Sequence, residues 1–280
     1  MIENPPTPGT ALWVHAHPRQ QSLGNHLFRA GTEALSATHE VLTSDLYAQG
    51  FDPVLSTRDL GDLAGTPGNI AEQVGETFAA GQLPDDVRAE QAKLAAAELL
   101  VIQFPLWWYG PPAILKGWID RVLTAGFAYG DMDPELDVPR RYGDGGLAGR
   151  RALVVVTAGE DERTIGPRGI SGDIDSLLFP LTHGTLWYTG IETLDLHVIT
   201  DADSLDRAAV ERETERLRSR IASLSTETVR PYRRLRDGDY QGTRALRDDL
   251  APGRTDLGIH RADRPRAVAT SLGLERQTQQ

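Results

Sequence analysis

His17, Arg19 and Ser22 put an imidazole, a guanidinium and a hydroxyl within six residues of one another, a donor set that suits an anion such as phosphate. Gln21 and Leu23 belong to the same stretch. Pro105, Leu106, Trp107, Trp108 and Tyr109 hold three consecutive aromatic side chains, enough to wall one face of a flat ligand. Thr157, Ala158 and Gly159 carry so little side-chain bulk that a ligand could approach the backbone closely. Each group also has a plainer use. The first suits any connection in which Ser22 only caps a helix and Arg19 is solvated, and the third suits any tight turn.

Chemistry requires that these groups meet, so the elements carrying them matter. Ala11 to His15 reads as a first strand, after which Ser22 caps an amphipathic helix through Leu23, Leu27, Phe28, Ala34 and Leu35, with Gly31 a weak point. Glu40 to Leu46 alternates as a second strand. Leu60 to Gly81 is glycine-rich and loop-like, with a short helix around Ile70 to Ala79, and Pro84 opens the next helix. Leu99 to Ile102 is a continuous apolar run, as expected of a strand covered on both faces, and Pro105 ends it. Pro111 and Pro112 suit the start of a helix with apolar Ile114, Leu115, Trp118, Ile119, Val122 and Leu123; Lys116, Asp120 and Arg121 form its polar face. Arg151 to Thr157 and Ile191 to Thr200 complete five strands, separated by a helix from Asp173 to Trp187 that Pro180 should kink. Ser204 to Ser223 is the last amphipathic helix. Gly143 to Ala148 fits a dinucleotide fingerprint in letters, but it precedes a strand instead of following one.

This alternation predicts a doubly wound, five-stranded parallel sheet, in which ligands bind beyond the carboxyl ends of the strands. All three groups sit at such ends. A phosphate site, a wall for a ring and a close backbone approach together describe a flavin nucleotide, with Trp108 or Tyr109 against the ring.

Composition narrows the classes. The 280-residue chain has a formal charge of −11 and no cysteine, which argues against nucleic acid or an anionic membrane as partner and removes disulfides, thiolate metal sites and cysteine nucleophiles; no metal is expected. No apolar run approaches about 18 residues, so a cytoplasmic protein without membrane insertion is expected. Residues 1–225 read as the flavin-binding domain. From Thr226 the chain turns arginine-rich and poor in hydrophobics, and residues 226–280 read as an extended polar arm lying on that domain or on a dimer partner, loose from about Leu274 to Gln280.

The chain resembles the flavodoxin-like NAD(P)H:quinone oxidoreductases of the DT-diaphorase type. The likeness rests on His17-Pro18, Phe51-Asp52-Pro53, Phe104 to Gly110 continuing into Ala113 to Trp118, Phe127-Ala128-Tyr129, Thr157 to Gly159 and Gly169 to Asp173, in order over residues 11 to 200. It implies a homodimer with a bound flavin, usually FAD although FMN is possible, that passes hydride from NAD(P)H to a quinone in alternating half-reactions. It further implies that His17, Arg19, Gln21, Ser22 and Leu23 lie along the phosphate and ribityl side. Pro105 to Tyr109 would line the ring, Thr157 to Gly159 its other edge, and Tyr129 would close the substrate pocket from the other subunit. Where the family carries a tyrosine and a histidine for charge relay, this sequence has Ile165 and Ser171; His183 and Tyr188 are possible substitutes. A flavin-binding regulatory subunit of a larger complex and a pathway-specific reductase of a polycyclic substrate are the alternatives.

Overall fold

The computed structural model describes residues 9–262; the expectation for Leu274 to Gln280 falls outside them. In chain order the first half comprises β1 (Gly9–His15), α1 (Leu23–Leu35), β2 (His39–Asp45), a helical turn at Thr57–Leu63, α2 (Ile70–Ala79), α3 (Asp85–Ala96), β3 (Leu99–Pro105) and α4 (Ala113–Val122). The second half comprises a short hairpin of β4 (Met132–Asp133) and β5 (Val138–Pro139), then β6 (Arg151–Thr157), α5 (Ile174–Leu177), α6 (Phe179–Leu181), a π-helical turn (Thr182–Trp187), β7 (Glu192–Thr193), β8 (His197–Ile199), α7 (Arg207–Ser223) and a second hairpin of β9 (Tyr240–Gln241) and β10 (Ala245–Leu246).

The main sheet runs β2-β1-β3-β6-β7 with β8 also on β6, every pairing parallel. This is the doubly wound, flavodoxin-like order. Every residue of β3 is buried, because helices cover both faces. Its neighbours end level with it: His15 pairs with Gln103 and Pro105 with Thr157. The functional loops therefore leave one edge.

Four local expectations change. The strand expected over Ile191 to Thr200 is two pieces, because the register against β6 slips by one residue between the Ala152–Thr193 pair and the Val155–His197 pair; the extra residue is a bulge. The helix expected from Asp173 to Trp187 breaks at Leu178, just before Phe179-Pro180, and then widens into the π-turn, since Pro180 has no N–H for the ladder. Arg121 is not on a polar face: Lys116 and Asp120 pair at the surface (2.6 Å) while Arg121 is buried.

Gly31 is no weak point either. A Cβ there would lie 2.1 Å from the Trp13 Cη2 atom, so α1 rests directly on the Trp13 ring. Gly31→Ala gains about 1 kcal/mol of helix propensity but overpacks this contact at about 1–3 kcal/mol. A net loss of stability in urea unfolding is the expected result; a net gain would show that α1 is free of Trp13.

Residues 227–262 lie over the π-turn and the β4–β5 hairpin. Arg230 pairs with Asp175 (2.8 Å), Arg234 with Asp144 (3.0 Å), Arg236 with Glu135 (2.9 Å) and Arg261 with Asp175 (3.0 Å). Tyr232 and Leu235 are buried beneath them. The Thr182 and Tyr232 hydroxyls meet at 2.8 Å, and Trp187 Nε1 donates to the Arg233 carbonyl at 3.0 Å. These four arginines attach the arm to acids of the sheet domain, while Arg233, Arg247 and Arg254 pair with Asp239, Asp249 and Asp256 of the arm itself.

Candidate functional site

Three strand-end loops converge on a cavity of about 590 Å³, within the usual range for a small-molecule site. His17, Arg19, Gln21, Ser22 and Leu23 line one side, Pro105, Leu106 and Trp107 another, and Thr157 and Gly159 a third.

Gln103 aims the first loop. Its buried amide accepts from Trp13 Nε1 (2.9 Å) and donates to the Gly24 carbonyl (2.7 Å), tying α1's first turn to β1 and β3. Ser22 caps α1 by accepting from Asn25 N–H (3.1 Å), and its own proton goes to the Arg19 carbonyl (2.8 Å). The serine is therefore occupied as a cap and gives no hydroxyl donor to a ligand. The anion site is left with α1's first-turn N–H groups, the positive helix end, Arg19 and His17. Arg19 N–H donates to His17 Nδ1 (3.1 Å), and in that tautomer Nε2 carries the proton. Burial pulls the His17 pKa below its usual value, so the ring is neutral at pH 7.

The aromatic loop is a tight turn. Trp107 and Gly110 exchange two backbone hydrogen bonds of 3.1 Å each, and Trp108 and Tyr109 between them have φ of 48° and 60°. A two-residue turn with both centres left-handed normally takes Asn-Gly; two aromatics there cost a few kcal/mol of strain, which tends to mark functional sites. Trp107 lines the cavity, whereas Trp108 is 97% exposed and does not. The expected ring wall is thus Leu106 and Trp107, because the turn swings Trp108 outward and Tyr109 to the rim.

At the third loop, a Cβ on Gly159 would come within 2.6 Å of Asp203 Oδ2, so a side chain would fill the gap between β6 and the 202–203 loop. The Gly159 and Glu160 N–H groups have no backbone acceptor among the described residues. Ala158 is buried behind them. Pro18, Gly24, Ala202 and Asp203 also line the cavity. Ala202 and Asp203 follow the last strand, and the strand-end logic that found the other loops, applied there, would have found them.

Several candidates lie elsewhere. His183 is buried and stacked between Phe179 (4.5 Å) and Tyr142 (4.9 Å), beneath His260 of the arm; this is packing, and it does not line the cavity. Tyr129 and Tyr188 pack edge to face at 6.0 Å, also outside the cavity lining. Ile165 is buried, while Ser171 stands at the rim and donates to Glu160 Oε1 (2.9 Å).

The cavity's features fit a flavin: a cradle for a phosphate at α1, an apolar face at Leu106 and Trp107, and bare backbone donors at Gly159. Among the described residues no cluster of three or more histidine, aspartate or glutamate side chains could hold a metal, and no helix is long and apolar enough to cross a membrane.

Residues 10–221 match the flavodoxin-like fold family. The chain is 37% identical to a ribosyldihydronicotinamide dehydrogenase-like protein of Penicillium crustosum over 257 residues, 89% of this chain and 94% of that one. It is 37% identical to NAD(P)H dehydrogenase (quinone) 1 of Cavia porcellus over 188 residues, 66% of each chain. A solved structure from Klebsiella pneumoniae, described as a candidate quinone reductase, matches with TM-score 0.84 at 38% identity over 91% of this chain and 100% of that one. The Penicillium and Klebsiella matches are too long to end before residue 226, so both extend into the arm.

Proposed function

The chain belongs to the flavodoxin-like family, and from that premise we propose that it is a flavin-dependent NAD(P)H oxidoreductase that reduces quinones or related electron-poor aromatics. The observation that carries this reading is the convergence of the α1 start, Leu106-Trp107 and the bare Gly159 turn on one cavity. When bound, the flavin supplies two-electron hydride chemistry, and the protein's work is to bind, orient and shield it.

In this reading the first-turn N–H groups of α1, with Arg19 and His17, hold the phosphate. Leu106 and Trp107 cover one ring face, and Gly159 and Glu160 N–H groups meet the ring's polar edge. We infer FAD, with FMN the alternative, because the lining continues past the α1 start and the Gly159 turn to Ala202 and Asp203. Trp108 and Ile170, 97% and 96% exposed beside the mouth, favour a homodimer in which the partner covers them. A cytoplasmic location goes with this reading, and Tyr129 would shape the acceptor pocket of the neighbouring subunit.

The test is direct. The purified protein should be yellow and release one flavin per chain on denaturation, with chromatography distinguishing FAD from FMN. It should oxidise NADH, NADPH or dihydronicotinamide riboside when a benzoquinone is present. A protein that holds no flavin and oxidises none of these donors with added flavin and benzoquinone would overturn the proposal.

A further inference from the structure

Tyr109, Ser171 and Glu160 come from three different loops and close into one triangle at the rim of the cavity. Tyr109 Oη lies 3.2 Å from Glu160 Oε1 and 3.1 Å from Ser171 Oγ, and Ser171 Oγ donates to the same Glu160 oxygen at 2.9 Å. Glu160 Oε2 is buried without a partner. Both anchors adjoin the cavity wall: Glu160 follows Gly159, and Tyr109 completes the strained turn that begins at Trp107. A half-exposed surface tyrosine has no need of two hydrogen-bonded loops, and two left-handed aromatics in sequence are held only where something over-determines them.

We propose that the Tyr109 hydroxyl is the proton donor to the acceptor's oxygen, with Ser171 and Glu160 as the residues that position it; this rests on the flavin-dependent reading above. The balance requires such a donor. NAD(P)H contributes two electrons and one proton as hydride, whereas a quinone becomes a hydroquinone by gaining two electrons and two protons. The second proton leaves Tyr109 as its Oη–H bond breaks and the acceptor O–H bond forms, and Tyr109 regains a proton from water at the open rim. Glu160 Oε1 takes its shorter bond from Ser171. The Tyr109 proton rests on that same oxygen through the longer bond, 3.2 Å against 2.9 Å, so turning it to the acceptor breaks only the weaker of the two.

Tyr109→Phe, Ser171→Ala and Glu160→Gln holoproteins test this by rapid mixing of the two half-reactions separately. Tyr109→Phe should slow acceptor reduction at least tenfold more than it slows flavin reduction by NAD(P)H. Ser171→Ala and Glu160→Gln should show the same imbalance to a smaller degree, and they carry the comparison if Tyr109→Phe does not fold. A second readout needs no turnover. Binding of 4-nitrophenol to the oxidised holoprotein, followed by its absorbance, should weaken at least fivefold in Tyr109→Phe. Equal effects on both half-reactions in all folded variants, or nitrophenol binding identical to wild type, would overturn the assignment while flavin content and NAD(P)H oxidation left the broader function standing. Loss of flavin from wild type would sink both.

Discussion

Arg121→Leu should destabilise the protein by about 3–5 kcal/mol, the usual cost of breaking a buried ion pair from one side. Arg121 is 1% exposed, and its guanidinium donates to Asp59 (2.8 Å), Asp86 (2.6 Å) and the Asp52 carbonyl (2.7 Å) while lying over the Phe51 ring at 5.2 Å. Asp59 is equally buried, and its second oxygen accepts from Ser56 N–H (2.8 Å) in a capping box at the Thr57–Leu63 turn. Removing the arginine strands that carboxylate without its counter-charge. Asp86 is a third exposed and can turn to water, so Asp86→Asn should cost much less. The double variant Arg121→Leu/Asp59→Leu should recover part of the loss, because an apolar pair replaces a buried ionic one at little cost. Urea unfolding checks all three, and an Arg121→Leu cost below about 1 kcal/mol would show the cluster to be hydrated. The cluster ties α4, which begins just after the aromatic turn, to the 51–63 segment and to α3.

The same arginine shows where the sequence stops being readable. Helical spacing put Arg121 with Lys116 and Asp120, because periodicity separates apolar from polar positions and has no way to mark a polar residue whose partners arrive from 35 and 62 residues away. Strand runs, proline breaks and the Ser22 cap were legible because each is a local rule. They sufficed to place the α1 start, Leu106-Trp107 and Gly159 at one edge. What was not legible depends on tertiary register: the bulge that divides β7 from β8, the turn that sends Trp108 to solvent and Trp107 inward, and the burial of His183 beneath an arm whose resting place on the domain the sequence leaves open. Composition marks Arg230 to Arg261 as an arm, but only the fold brings Arg230, Arg234 and Arg261 to their acids at Asp175 and Asp144.

Acidification from pH 7 to pH 5 should lower the unfolding free energy by several kcal/mol, chiefly through three buried histidines. Burial holds the pKa of His15 at about 4 and those of His183 and His197 at about 3. Secondary effects differ: Asp45 pulls upward on His15, His260 pushes His183 down, and Arg216 and Arg220 push His197 down. Neither ring nitrogen of His197, nor Nε2 of His183, has a hydrogen-bond partner among the described residues. Each ring is therefore neutral in the fold and protonates in the unfolded chain near its ordinary value of 6.5. Below that pH the unfolded state binds more protons, so stability is full above about pH 6.5 and falls as the pH drops toward 4 and 3. At pH 5 the gap of about 1.5 units is worth about 2 kcal/mol for each histidine. His183→Phe should flatten the pH dependence by about that amount, because the aromatic stack with Phe179 and Tyr142 survives without a titrating group, and His197→Leu should do the same at the sheet edge. Urea unfolding at pH 7 and pH 5 measures both, and a slope between those values that is unchanged in the double variant would show that these rings are not held neutral.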